Sequence, residues 1–110
     1  MNRMVVKIGR SFFFLDPEEI DCVEAENNYI RVHRGEKSFL IKKTLTEILN
    51  DLNSKRFIRV NRSMIVNIDR IKEMKEVENY SFKVVLDTGK SWTIRRRSKE
   101  NLFKALNIQR

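Results

Sequence analysis

Short apolar runs separated by turn signals limit what this chain can fold into. Residues 5–8 and 12–15 are β-prone, and Gly9-Arg10-Ser11 between them is typical of a hairpin turn. Residues 29–34 alternate between polar and apolar side chains at the two-residue period of a strand. The same pattern recurs along the chain, with Asp87-Thr88-Gly89-Lys90 as a later hairpin turn. It predicts a mostly β fold of about eight to ten short strands.

Two short helices are expected beside these strands. Residues 44–47 read Thr-Leu-Thr-Glu, a capping box that starts a helix. The apolar face of this helix consists of Leu45, Ile48, Leu49 and Leu52. We expect Ser98 to cap a second helix near the end of the chain. The residues that would dock this helix are Leu102, Phe103 and Leu106.

One run differs from the simple alternation. Residues 20–26 carry apolar side chains on both faces, which predicts a central strand covered on two sides. Cys22 is then a small core residue. His33, in the alternating strand that follows, is expected to face outward beside Arg31 as an exposed polar residue.

Charge and length restrict the class of partner. The 110 residues carry 23 Lys and Arg against 15 Asp and Glu, a formal net charge of +8. This length predicts a single domain, residues 1–110. A surplus of that size points to a polyanion, with nucleic acid first and an anionic membrane or acidic protein second. A single cysteine and the lack of a signal-like or membrane-spanning run predict a cytoplasmic protein.

The residue inventory argues against an enzyme. One histidine and one cysteine are too few for the usual zinc sites. Gly89-Lys90-Ser91 resembles the end of a phosphate-binding loop, but the earlier glycine is missing and a strand follows. We therefore expect no catalytic residues, no cofactor and no metal.

Three cation-rich turns remain as candidates for binding. The central one lies within residues 57–67, FIRVNRSMIVN, where apolar residues pin the turn Arg59-Val60-Asn61-Arg62-Ser63. The others are residues 26–28 and residues 95–98. Arginine and asparagine can pair bidentately with guanine and adenine, and lysines can follow a phosphate backbone. For any one turn, a solvated charged bend is an equally good interpretation.

Other classes of function stay open at this point. A basic module that binds proteins or a membrane surface, with no role on DNA, fits the charge as well. Single-stranded RNA binding would require stacking on exposed aromatic residues, and only Tyr29 and Tyr80 are placed for it.

A set of short motifs resembles one known family. The motifs are Ile20-x-x-Val23-Glu24-Ala25, Tyr29-Ile30-x-Val32, Thr44-Leu45-x-x-Ile48, Phe57-x-Arg59-Val60-x-Arg62-Ser63-x-Ile65-Val66-Asn67, Ile71, Val84-x-Leu86, Gly89 and Ile94-x-Arg96-Arg97. Over residues 20–106 the chain is similar to the LytTR family of bacterial DNA-binding domains, the output domains of many response regulators in two-component systems.

The resemblance implies an elongated stack of small antiparallel sheets whose loops enter successive grooves of double-stranded DNA and bend it. The residues implied as base readers are Asn28, Arg62 and Arg97. Those implied as backbone or secondary contacts are Asn61, Ser63, Arg95, Arg96, Lys42 and Lys43. Asn61, Met64 and Arg95 differ from the family's usual residues, and the differences at Asn61 and Arg95 bear on the target sequence rather than on binding itself.

The resemblance also implies partners. Family members commonly bind paired DNA repeats as dimers, with one domain on each repeat. No receiver domain precedes residue 1, so we expect either a fragment of a longer regulator or a stand-alone module with a separate signalling partner.

Overall fold

The computed structural model describes residues 3–52, 55–78, 81–95, 102–104 and 106. These residues form ten strands in three antiparallel sheets, which confirms the mostly β prediction. The strands are Met4–Ile8 (β1), Ser11–Leu15 (β2), Cys22–Glu26 (β3), Tyr29–Arg34 (β4), Lys37–Ile41 (β5), Phe57–Asn61 (β6), Met64–Asn67 (β7), Ile71–Val77 (β8), Ser81–Leu86 (β9) and Ser91–Ile94 (β10).

Helical segments are short. Leu45–Leu52 forms the helix α1, and residues 102–104 and 106 are helical. Pro17–Glu19 and Ile68–Arg70 are single 3-10 turns. Among the described residues, no helix has the length and apolar character needed to cross a membrane.

A five-stranded sheet with the order β5-β4-β3-β7-β6 is the centre of the fold. The predicted central strand, β3, pairs with β4 on one side and with β7 on the other. Its two faces are covered as expected, since Val23 packs into one core cluster and Cys22 into another. Burial raises the pKa of the Cys22 thiol to about 12, so this group stays protonated at neutral pH.

The first core lies between this sheet, α1 and the β1–β2 hairpin. The helix buries Leu45, Ile48 and Leu52 in it, three of the four residues that the helical spacing placed on the apolar face. The capping box also forms as predicted. The Glu47 amide donates to Thr44 Oγ1 at 3.1 Å, and the Thr44 amide donates to Glu47 Oε1 at 3.0 Å.

The second core lies between the opposite face of the central sheet and a three-stranded sheet with the order β10-β9-β8. Leu102 is buried in this core, and Phe103 and Leu106 pack against it, as the sequence predicted. The proposed cap of this helix, Ser98, lies outside the described residues.

The expectation that His33 is exposed is wrong. Its side chain is buried, and Nε2 lies 2.6 Å from Glu24 Oε1 on the neighbouring strand. The turn between β9 and β10 meets this face, since Thr88 and Lys90 line a cavity with His33. Burial and the Lys90 ammonium lower the pKa of His33, although Glu24 opposes the shift.

Asn67 joins three elements at the end of β7. Its Nδ2 donates to the carbonyl of Ile20 at 2.9 Å, and its Oδ1 accepts from the Asp69 amide at 3.0 Å. The residue is buried, so the bond to Ile20 is shielded from water and the bond from Asp69 is partly shielded. The second bond caps the 3-10 turn through which the chain leaves the central sheet.

We expect Asn67→Ala to lower the free energy of unfolding by about 1–3 kcal/mol, because it leaves a buried carbonyl without a donor. Urea denaturation measures this change. Asn50→Ala, on the exposed side of α1, is the matched control. A loss for Asn67→Ala no larger than the control's would show that the buried bonds add nothing to stability.

Candidate nucleic-acid interface

Two of the three cation-rich turns lie at the same end of the central sheet. Asn27 and Asn28 connect β3 to β4, since Glu26 pairs with Tyr29. Arg62 and Ser63 connect β6 to β7, since Asn61 pairs with Met64. We call this the Asn28–Arg62 end.

Strand register fixes this shared position. β3 pairs antiparallel with β7, and Glu24 lies opposite Met64. The residues that follow β3 and the residues that precede β7 therefore lie at the same end of the sheet. A further hydrogen bond, from the Ala25 amide to the Ser63 carbonyl at 2.8 Å, joins the second turn to β3. Neighbouring strands are about 4.8 Å apart, which puts the centres of the two turns roughly 10 Å from each other.

The two lysines of the predicted phosphate track lie at this end as well. Ile41, the last residue of β5, pairs with Ile30, so Lys42 and Lys43 continue beyond the sheet at the Asn28–Arg62 end. Lys42 is exposed. The Lys43 ammonium instead forms an ion pair with Asp51 of α1. Of these two lysines, therefore, only Lys42 has an ammonium without a partner among the described residues.

The Arg62–Ser63 turn is held in shape by side chains next to it. Asn61 Oδ1 accepts a hydrogen bond from the Ser63 amide at 2.8 Å, which is an Asx turn. Arg59 Nη2 donates to the Arg62 carbonyl at 2.9 Å, and its Nη1 lies 3.4 Å from Thr46 Oγ1 of α1. The Arg59 guanidinium thus links the turn to the start of the helix.

Arg31 is a second arginine committed within the chain. It makes a bidentate contact with Glu26, Nε to Oε2 at 2.7 Å and Nη2 to Oε1 at 3.1 Å, and Nη1 donates to Ser38 Oγ at 3.0 Å. The hydrogen bond from Arg31 lowers the pKa of Glu26. The guanidinium is therefore not available to a ligand unless this pair opens.

The two implied base readers at this end differ from Arg31 in that their side chains have no partner among the described residues. Asn28 and Arg62 are exposed at the tips of their turns. Within the described part of the chain, neither side chain takes part in a hydrogen bond or ion pair. An exposed amide and an exposed guanidinium on rigid turns, with Lys42 beside them, suit a polyanion that displays both donors and acceptors.

The third turn is described only at its start. Arg95 is exposed and directly follows β10. Arg96, Arg97 and Ser98 lie outside the described residues, so the implied base reader Arg97 and backbone contact Arg96 stay predictions. β10 begins after Lys90, which lines a cavity with His33 and Gly35 at the opposite end of the central sheet.

Sequence reasoning missed the role of Arg59. It grouped this arginine with the DNA-facing cations of the second turn, whereas its guanidinium holds the turn from behind. The spacing Asn61-x-Ser63, which favours an Asx turn, was the available signal. The contact with Thr46 joins residues far apart in sequence and had no signal. No cluster of three or more His, Cys, Asp or Glu able to hold a metal occurs among the described residues.

Comparison with known proteins gives a consistent result. The model of a family described as the LytTr DNA-binding domain matches residues 10–107. A solved structure of a LytTr DNA-binding domain from Bacillus cereus superposes with a TM-score of 0.84 at 22% identity, covering 98% of this chain and 99% of that one. At this identity the likeness concerns the fold.

Two longer proteins are similar in sequence. The sensory transduction protein LytT of Bacillus subtilis is 27% identical over 107 residues, which cover 97% of this chain and 44% of that protein. The transcriptional regulatory protein LytR of Staphylococcus aureus is 29% identical over 84 residues, which cover 76% and 34%. The chain thus spans less than half the length of either relative.

We expect Arg59→Lys to loosen the Arg62–Ser63 turn, because lysine keeps the charge but cannot reach both Thr46 and the Arg62 carbonyl. Amide hydrogen exchange of Ser63 in the free protein should become about two- to fivefold faster. Thr46→Val should give a smaller change of the same sign. Arg10→Lys, in the β1–β2 turn, is the matched control. Unchanged exchange at Ser63 in Arg59→Lys would contradict the role of this link.

Proposed function

Because the chain belongs to the LytTr DNA-binding domain family, we propose that it is the sequence-specific double-stranded DNA-binding part of a transcription regulator. The observation that carries the proposal is the shared end of the central sheet, where Asn28 and Arg62 both have exposed and uncommitted side chains. The formal net charge of +8 suits a duplex, whose backbone is uniformly anionic.

Each residue has a role that follows from its chemistry. Arg62 pairs with a guanine edge through its two-pronged guanidinium, and Asn28 reads adenine through its amide. Arg97 is the third base reader, on the strength of its match to the family motif. The residues proposed to contact phosphates or to act as secondary contacts are Asn61, Ser63, Lys42, Lys43, Arg95 and Arg96. Lys43 must exchange its Asp51 partner for a phosphate, so we rank it below Lys42.

Dimensions support contact with successive grooves. The two turns, roughly 10 Å apart, are close enough to enter one major groove about 12 Å wide, and they lie well within one helical repeat of about 34 Å. The longest extent of the molecule is 47 Å, which exceeds that repeat. A third contact at residues 95–97 would then extend the footprint, and bending of the duplex would bring all three turns into register. Paired repeats would recruit two copies, one on each repeat.

We expect Arg62→Ala to weaken binding to the preferred duplex by about 1–3 kcal/mol and to relax the base preference at one position. Fluorescence anisotropy against the selected site and single-base variants of it measures both effects. Lys37→Ala, at the opposite end of the sheet, is the charge-matched control. Base preference that is identical in Arg62→Ala and wild type would remove Arg62 from the readout.

Lys42→Ala should act differently, because a lysine on a phosphate reads no sequence. Affinity should fall by the same factor for all duplexes, and the slope of log affinity against log salt should become less negative by about 0.9. For five to nine phosphate contacts the wild-type slope is about −4 to −8. Equal slopes for Lys42→Ala and wild type would argue that Lys42 touches no phosphate.

Selection of bound duplexes from a random pool tests the proposal as a whole. It should yield one preferred sequence together with its repeat spacing. A pool that shows no enrichment, or no duplex binding at low salt, would favour a basic protein- or membrane-binding module instead.

A further inference from the structure

The outer face of the β1–β2 hairpin is apolar, aromatic and exposed. Val5 lies opposite Phe14, and Lys7 lies opposite Phe12, so these four residues share one face. Val5 is 47% exposed, Phe12 61% and Phe14 57%. The opposite face of the hairpin buries Met4, Val6 and Leu15 in the first core, so the outward rings are not needed for that packing.

Cations are built into this face. The Arg3 guanidinium lies 6.0 Å from the centre of the Phe14 ring, and the Lys7 ammonium lies 5.6 Å from the centre of the Phe12 ring. Arg10 occupies the turn of the hairpin. Residues 3–15 contain no Asp or Glu. The next acid, Asp16, accepts from the Glu18 amide at 3.3 Å and so caps the following 3-10 turn.

We propose that this face, the Phe12–Phe14 face, is a docking site for an acidic amphipathic segment of another protein. Apolar side chains of such a segment would cover Val5 and the two rings, while its carboxylates would pair with Arg3 and Lys7. The hairpin is a separate two-stranded sheet, so a partner could dock there while the central sheet holds DNA. The inference therefore goes beyond DNA binding and does not depend on it.

The charges on this face favour an acidic protein segment over a second copy of the chain or a membrane. A second copy of the chain would bring identical sets of cations together and pay for their repulsion. An anionic membrane would attract both cations, but each lies within about 6 Å of a ring centre, so the rings could enter the acyl region only by giving up these cation–π contacts. An acidic amphipathic segment can cover the rings with its apolar side chains and pair the cations with its carboxylates.

A peptide titration followed by NMR tests the proposal on the whole chain. The probe is a helical peptide of about 16 residues with leucines at i, i+3, i+4 and i+7 and glutamates elsewhere. We expect saturable shift changes along β1 and β2. In Phe12→Ser/Phe14→Ser, affinity for this peptide should fall about tenfold or more, since the rings supply the buried apolar area. Duplex affinity should stay at the wild-type level.

A charge reversal provides the matched variant, and it does not remove apolar surface. Lys7→Glu should bind the glutamate peptide less tightly than wild type and should bind a copy with lysines in place of glutamates more tightly. A third peptide, with serines in place of leucines, should not bind the Phe12–Phe14 face. Thermal unfolding of each variant verifies that the fold is kept, and Lys7→Glu decides the question if the double serine variant unfolds.

Several outcomes would overturn the proposal. They are the absence of saturable shifts in β1 and β2, equal affinity of the double serine variant and wild type, and equal binding of the serine peptide. Ring-dependent binding to phosphatidylglycerol vesicles without binding to the glutamate peptide would assign the face to a membrane. Ring-dependent self-association in sedimentation would assign it to a second copy.

Discussion

Pairing of β3 on both of its edges is the constraint on which the rest of the structure depends. Its partner β4 returns through the Asn27–Asn28 turn, and its partner β7 arrives from the Arg62–Ser63 turn, so antiparallel pairing leaves both turns at one end. The two faces of β3 then carry the two cores. The position of this one strand therefore determines both how the layers pack and where the Asn28–Arg62 end lies.

Cations near the Asn28–Arg62 end divide into two groups by their partners. Arg31, Lys43 and Arg59 are engaged by Glu26, Asp51 and the Arg62 turn, and they hold the surface in shape. Arg62 and Lys42 extend from that held surface. Rigid placement lowers the entropic cost of binding, so under the proposed function Arg31 and Arg59 would contribute to recognition without touching the ligand. Composition alone, which counts all five as equal, does not reveal this division.

Most of the fold could be predicted from local sequence patterns. Alternation gave the strands, the capping box at Thr44 and Glu47 started α1 where expected, and two-sided apolar character identified β3 as central. The predictions that failed depend on contacts between residues far apart in the sequence. His33 alternates like an exposed residue, but its side chain is buried, and Thr88 and Lys90 of the β9–β10 turn line a cavity with it. The contact between Arg59 and Thr46 had no local signature either. The resemblance to a known family gave Asn28 and Arg62, and the register of the strands brought their turns to one end of the sheet.

The central claim is that double-stranded DNA meets the Asn28–Arg62 end. Backbone and side-chain NMR shifts on titration with a selected duplex test it most directly. The account predicts that the largest changes fall at residues 27–28, 42–43 and 61–63, with little change at residues 35–36 and 87–90 on the opposite end. The reverse distribution, or changes spread evenly over both ends, would contradict it.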